Sequence, residues 1–442
     1  MIIYGGTHMI HTYEDALTWI HGRLRLGMKP GLARMEWMME RLGQPQKKIK
    51  AIHVAGTNGK GSTVSYIRNM LQEAGYRVGT FTSPYIETFN ERISVNGKPI
   101  SNDEIVTLLK VIKPLADELE GTELGGPTEF EVITAMALYY FGENPNIDFV
   151  IMEVGLGGKL DSTNVITPLV SIITSIGFDH MNILGDTIEK ITGEKAGIIK
   201  QNVPVVSAVE QQEAIEVINA KAKETNSPIY QLGQDFFISD HQHKNGESFT
   251  LKAHQKTFHN LTIAMKGTHQ VRNACLAVMT INILKNSGIV QIGDQELAAG
   301  LEKTKWIGRF EEISKKPLVI LDGAHNPEGI KSLVDTIQAH LKGKEIHIIF
   351  SALHDKKLDT MIGQLEAVAH NLTFTTFDFP RAASSKELYE NSSKGETIAT
   401  IDNWIEAVKS ELDKVTAEQN SVLVITGSLY FISEVRGYLL SK

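Results

Sequence analysis

The chain has 442 residues, a formal charge of −8, 42% apolar and 22% charged residues, and a single cysteine. These values exclude a disordered or fibrous chain, and they exclude the basic field that holds a phosphodiester backbone, so nucleic acid is not an expected partner. Cys275 cannot form an internal disulfide and no apolar run is long enough to span a membrane, which points to a cytoplasmic protein of two domains with no membrane association, taken as a monomer.

The opening MIIYGGTHM lacks the basic-then-apolar order of a signal peptide and reads as an added leader, with a native start near Met9. From Lys50 onward, short β-branched runs alternate with helical patterns: KAIHVAG, KGSTVSYIRNMLQEAGY, RVGTFTS, and later DFVIMEVG, LVSIITSIG and VPVVSA. That alternation predicts βαβ units around a buried parallel sheet. Val64, Ile67, Leu71 and Ala74 fall on one face at helical spacing and Gly75 follows as a stop signal, so this segment is predicted to be a core-facing crossover helix.

Residues 229–265 alternate apolar and polar positions between turn residues, which predicts antiparallel strands; their many histidines read as solvated strand positions and not as ligands. Helices are expected through HQVRNACLAVMTINIL and GDQELAAGLEK, with a domain boundary at 300–306. Beyond it LVILDGA, EIHIIFSAL, NLTFTTF and SVLVITGS alternate with helical stretches, predicting a second, smaller α/β sheet. The chain thus divides into 1–300 and 306–442, without internal repeats.

The strongest chemical signal is Gly56-Thr57-Asn58-Gly59-Lys60-Gly61-Ser62-Thr63, between the strand 51–55 and an amphipathic helix. Glycines let backbone N–H groups surround phosphate oxygens, the helix N-terminus adds positive potential, and Lys60 supplies a full charge to the β- and γ-phosphates. A Gly-rich turn that merely joins strand to helix is the bland alternative, and the lysine followed by Ser62 and Thr63 argues for phosphate binding. The spacing differs from the general GxxxxGK[ST] pattern.

The GTNGK core resembles the Mur ligase superfamily, and its extension to GTNGKGS resembles the folylpolyglutamate synthase/dihydrofolate synthase family. TSPYIETFNERI, EVGLGGKLDSTN, IGFDHMNILGDTIEKITGEKAGIIK, HQVRNA, GRFE, DGAHNP and ITGSLY follow in the family's order over nearly the whole chain. The resemblance implies an α/β architecture: an N-terminal P-loop domain with a central, mostly parallel sheet plus a small antiparallel sheet, and a smaller C-terminal Rossmann-like domain. It implies Mg²⁺ held by Ser83, Glu153 and His180, consistent with the preference of Mg²⁺ for oxygen ligands completed by water and phosphates. It also brings K⁺ as a further cation.

By the same resemblance Lys195 is the lysine that can be carbamylated, and Lys60, His180 and Lys195 carry the catalytic roles. Thr57, Asn58, Gly59, Lys60, Gly61 and Ser62, with Asn273, Arg309 and Asp322, are expected to recognise ATP. Arg92, in the family's mobile folate-binding loop, is expected to fix the loop's geometry or to meet the substrate carboxylate, and Asp161, His325 and Ser428 are expected at the substrate. Residue by residue the alternatives are ordinary: a solvated Lys195, an interdomain salt bridge from Arg309 to the neighbouring glutamates, and a helix-capping Asp322 ahead of Pro327. Departures are Ile307, Tyr85 and Lys159, where proline, histidine and arginine are usual, and ALHDKK, which lacks the final acid of ALxDKD.

The implied reaction is ATP-dependent addition of L-glutamate to the terminal glutamyl carboxylate of a reduced folate through an acyl phosphate. Addition to dihydropteroate is left open. A carboxylate oxygen is a poor leaving group, and phosphoryl transfer converts it to a good one, with charge neutralised by Lys60 and the metal site. Two rivals stand beside this reading. One is a Mur-type ligase of cell-wall precursors, disfavoured by GTNGKGS, FNERI and LDSTN; the other is a nucleotide-hydrolysing switch module.

Overall fold

The computed structural model describes residues 10–441 except 28, 254–255, 395–397 and 419; the opening segment read as a leader lies outside the described residues. Eight strands build the first sheet: β1 (Ala51–Ala55), β2 (Val78–Phe81), β3 (Ile93–Val95), β4 (Lys98–Pro99), β5 (Phe149–Glu153), β6 (Val170–Ile173), β7 (Val205–Ser207) and β8 (Ile229–Gln231). Their order is β4-β3-β2-β5-β1-β6-β7-β8, parallel from β2 to β8 and antiparallel at β2-β3-β4. β1, β2, β5, β6 and β7 are buried along their whole length, which is why their sequences read as continuous apolar runs with no alternation.

One face of this sheet packs on Ile105, Leu109, Val132 and Met136 from the helices Asn102–Glu120 and Glu129–Gly142. The other packs on the helices Lys60–Glu73 and Thr268–Asn286. Each fully buried branched side chain such as Ile52 or Ile172 contributes about 1.5–3 kcal/mol. The helix Lys60–Glu73 is buried on more than its predicted face, because Asp294–Lys303 closes over it: a Cβ on Gly300 would lie 2.5 Å from the Met70 backbone. Gly75 terminates the helix with φ +87°, as expected.

β9 (Phe236–Lys244), β10 (Gly246–Ala253) and β11 (Lys256–Ile263) form the small antiparallel sheet. It begins later than residue 229, since 229–231 form the parallel edge strand β8. The expectation that the histidines here are merely solvated is corrected at two positions. His241 and His243 both hydrogen-bond the fully buried carboxylate of Glu247, because the hairpin turns both rings to the same side. Within the segment 82–97, which contains the TSPYIETFNERI motif, Ile93–Val95 form β3, which pairs with β2, and the Asn96 side chain accepts from Val78 N–H at 2.8 Å.

The third sheet contains β12 (Glu311–Lys315), β13 (Leu318–Asp322), β14 (Glu345–Phe350), β15 (Asn371–Thr376), β16 (Ile398–Asn403) and β17 (Ser421–Thr426), in the order β12-β13-β17-β14-β15-β16. Only β12 runs antiparallel to its neighbour. Among the described residues no helix is long and apolar enough to cross a membrane.

Candidate active site

Four adjacent strands, β2, β5, β1 and β6, deliver the predicted residues at their carboxyl ends. Ser83 follows β2, Glu153 ends β5, the 56–63 loop follows β1, and His180 follows β6. In the third sheet, β13, β17 and β14 likewise end next to His325, Ser428 and Lys356. Both sets line one cavity of about 510 Å³, placed as open parallel sheets place their ligands.

The phosphate loop is held from behind. Thr57 N–H donates to the Ser175 carbonyl (2.8 Å), Asn58 N–H to Ser175 Oγ (3.0 Å), and Thr174 Oγ1 to the Asn58 carbonyl (2.6 Å). Gly59 has φ +87°, and a Cβ there would meet Asn273 Oδ1 at 2.4 Å; one on Gly61 would meet the Trp306 ring at 2.8 Å. The loop is therefore clasped between the helix bearing Asn273 and the linker bearing Trp306. Lys60 Nζ donates to the carbonyls of Gly56 (3.0 Å) and Thr57 (3.2 Å), which stations its charge at the loop mouth.

Glu153 is 4% exposed and accepts from Ser83 N–H at 3.3 Å. Burial pushes its carboxyl up to about 7, against the pull of Lys60, the Ser83 N–H, Arg309 and Arg92. Burial likewise lowers the Lys195 ammonium to about 7, helped by Lys60 and opposed by Asp179 and Asp161. His180, with a backbone φ of 50°, opens the short helix Met181–Leu184, and burial lowers its imidazole below the ordinary value. His325, on the opposite wall, is lowered to about 4 by burial.

The cavity-lining residues include Gly56–Ser62, Ser83, Glu153, His180, Lys195, Arg309, His325 and Ser428. Asn273, Asp322, Arg92 and Asp161 lie outside its lining. Asn273 backs Gly59, and Asp322 accepts from Phe310 N–H (2.8 Å) and Ala324 N–H (2.9 Å), setting the turn that carries Arg309. Asp322 does not cap the following helix; Asn326 does. Arg309 is not in a salt bridge with its neighbouring glutamates, because Glu311 pairs with Arg436 and Glu312 with Lys266. The Arg92 guanidinium sits 5.3 Å from the Tyr85 ring centre and 5.9 Å from that of Phe89, bracing its own loop.

The Asp161 carboxylate anchors a turn. One carboxylate oxygen accepts from Leu156 N–H (2.9 Å), and the other from Thr163 N–H (3.0 Å) and Thr163 Oγ1 (2.5 Å). These three hydrogen bonds tie it within the 156–163 turn.

Sequence reasoning missed Asp179, Lys356 and Asn326. Lys356 Nζ donates to Asp179 Oδ1 at 2.6 Å, and Asn58 and Asn326 exchange amide hydrogen bonds at 3.0 Å each, so both pairs join the two large sheets across the cavity. Burial alone would raise the Asp179 carboxyl, but Lys356, His180 and His325 outweigh it and hold it well below the usual range. The signals were present in FDH, DGAHNP and ALHDKK; what was missing was their pairing.

The Mur ligase middle domain model matches residues 54–281, and the Mur ligase glutamate ligase domain model matches 308–429. The chain is 50% identical over 434 residues to the dihydrofolate synthase/folylpolyglutamate synthase of Bacillus subtilis, covering 97% of this chain and 99% of that one. It is 35% identical over 430 residues to the folylpolyglutamate synthase of Lacticaseibacillus casei, again covering 97% and 99%. Among solved structures, Mycobacterium tuberculosis folylpolyglutamate synthase complexed with ADP superposes with a TM-score of 0.90 at 29% identity, over 97% of this chain and 99% of that one. An FPGS–AMPPCP–folate complex does so with 0.86 at 34%, over 97% and 100%.

Proposed function

Because the chain belongs to the folylpolyglutamate synthase/dihydrofolate synthase family of Mur ligases, we propose that it uses ATP to add L-glutamate to the terminal glutamyl carboxylate of a reduced folate. The observation that carries this reading is the shared cavity. Lys60 and the phosphate loop form one wall, Arg309, His325 and Lys356 the other, and Glu153 and Ser83 lie between them.

The phosphate loop and Lys60 bind the nucleotide, and Arg309 approaches the same phosphates from the third sheet. Asn273 and Asp322 act as positioning residues, through Gly59 and through the Arg309 turn. The residues present suit a divalent cation: a buried carboxyl that burial raises to about 7 and that a cation would draw to its ionised form, a serine hydroxyl, and an imidazole at His180 held toward its neutral form by burial. Ser83, Glu153 and His180 would hold Mg²⁺, which supplies charge neutralisation on the phosphates when bound. Lys195, half neutral near pH 7, has the free amine that carbamylation requires. The acceptor carboxylate attacks the γ-phosphorus, ADP leaves, and the glutamate amine then attacks the acyl phosphate and expels phosphate. The cationic and backbone N–H groups stabilise the charge on both leaving groups. His325 and Ser428 face the place where glutamate must enter, and Arg92 holds the 83–92 loop over the acceptor. The split at 300–306 is read as the hinge between the two walls.

The test is ATP-dependent phosphate release by the purified protein with Mg²⁺ and L-glutamate, comparing tetrahydrofolate, dihydropteroate and no acceptor, with products identified by mass. Glutamylated tetrahydrofolate is expected. Product from dihydropteroate as well makes the protein bifunctional, and acceptor-independent hydrolysis refutes the ligase reading.

A further inference from the structure

Outside the cavity, three histidines converge on one carboxylate. Glu247 on β10 pairs with His243 on β9, and His241 lies two residues earlier on the same face of that strand. The Glu247 side chain has no exposed surface. Its Oε2 lies 2.8 Å from His241 Nε2 and 2.8 Å from His243 Nδ1, while its Oε1 faces His340 Nε2 at 2.7 Å and accepts from Gly267 N–H at 2.6 Å. A carboxylate has about four acceptor positions, so hydrogen bonding alone could saturate it. The division between the two oxygens points further: one is tied down by the buried His340 and a backbone N–H, and the other meets the two rings that reach solvent, His241 at 21% and His243 at 39% exposure.

We propose that His241 Nε2, His243 Nδ1 and Glu247 Oε2 form a binding site for a transition-metal dication of the Zn²⁺ class. These donor atoms all lie within 4.8 Å of one another. In a tetrahedral site with bonds of 2.0–2.1 Å the donors would stand roughly 3.3 Å apart, so each ring moves about half an ångström away from Glu247 Oε2, now 2.8 Å from both, to admit the ion. Two imidazoles and one carboxylate suit Zn²⁺ or Co²⁺ and leave a fourth position for water, whereas Mg²⁺ prefers an all-oxygen set. His340 and Gly267 N–H, holding the second oxygen, orient the ligating carboxylate from outside, as supporting hydrogen bonds do in metal sites. On binding, each ring presents a lone pair to the ion and carries its proton on the other nitrogen. Through the Glu247–His340 hydrogen bond the site also adjoins the end of the helix Pro327–His340, whose other end bonds Asn58 through the N-cap Asn326 and the Phe178 N–H through Glu328.

The test is titration of the nucleotide-free protein with Co²⁺, read by its visible absorption, followed by displacement with Zn²⁺. One equivalent with a tetrahedral spectrum is expected. His243→Ala, at a partly exposed hairpin position, abolishes the band, and His340→Gln weakens binding about 10–100-fold. Glu153→Gln, which removes the carboxyl of the cavity, leaves the band intact. Zn²⁺ raises the Tm of the wild type and not of His243→Ala. No band in the wild type, an unchanged band in His243→Ala, or loss of the band in Glu153→Gln would each overturn the assignment.

Discussion

Lys60 and Lys195 are two lysines in one cavity with different electrostatic positions. Lys60 is kept at the loop mouth by the carbonyls of Gly56 and Thr57, ready to meet anionic oxygen. Lys60→Ala should lower kcat by at least about 100-fold, the cost of losing one preorganised charge-stabilising group, with the protein still folded by circular dichroism. Near-normal turnover would refute the role. Lys195 is 4% exposed, and its folded-state value of about 7 lies below the ordinary 10.5. Between those values the unfolded chain binds a proton that the native chain does not, so this group makes stability rise with pH from about 7 to about 10.5; below 7 both states are protonated and its contribution is flat. The total is no more than about 5 kcal/mol. Urea unfolding at pH 7 and pH 9.5 should show that rise in the wild type and a smaller one in Lys195→Met.

At the scale of elements, the segment between β2 and β3 is docked onto the last helix, Leu429–Leu440. Ser433 Oγ donates to the Ile86 carbonyl, and Arg436 pairs with both Glu87 and Glu311. Glu91 tightens the turn from inside by accepting from the N–H groups of Ile86, Glu87 and Thr88. A half-exposed ion pair of this kind is worth about 0.2–1 kcal/mol. Arg436→Ala should therefore raise KM for the folate acceptor up to about fivefold and leave KM for ATP unchanged. Equal changes in both constants would mean that the helix acts on the whole interface and not on this loop.

At the scale of the molecule, the two large sheets are joined across the cavity by the Asp179–Lys356 ion pair, whose side chains are 10% and 8% exposed, and by the Asn58–Asn326 amide pair. Lys356→Met leaves the Asp179 carboxylate nearly buried beside only His180, His325 and Asn326. It should cost about 3 kcal/mol in denaturant unfolding, with much of that recovered in the Asp179→Asn/Lys356→Met double variant. Strictly additive losses would exclude the pairing.

The β1, β2, β5, β6 and β7 runs, the phosphate loop and the order of the motifs were legible in the chain, because buried parallel strands are apolar throughout and a phosphate-binding turn needs glycine and lysine at adjacent positions. Those are local constraints. What was not legible is non-local: Asp179 finding Lys356 at a sequence separation of 177, Asn58 finding Asn326 at 268, and Asp161 turning inward to Leu156 and Thr163 instead of toward the cavity. Likewise His241 and His243 read as solvated until the hairpin register placed them on Glu247 and the end of a distant helix added His340. The sequence alone determined which elements form and which carry phosphate chemistry, since period and local residue type decide both. Only the tertiary structure decided which charges meet, because the desolvation that makes Glu153, Asp179 and Lys195 unusual comes from elements far apart in the chain.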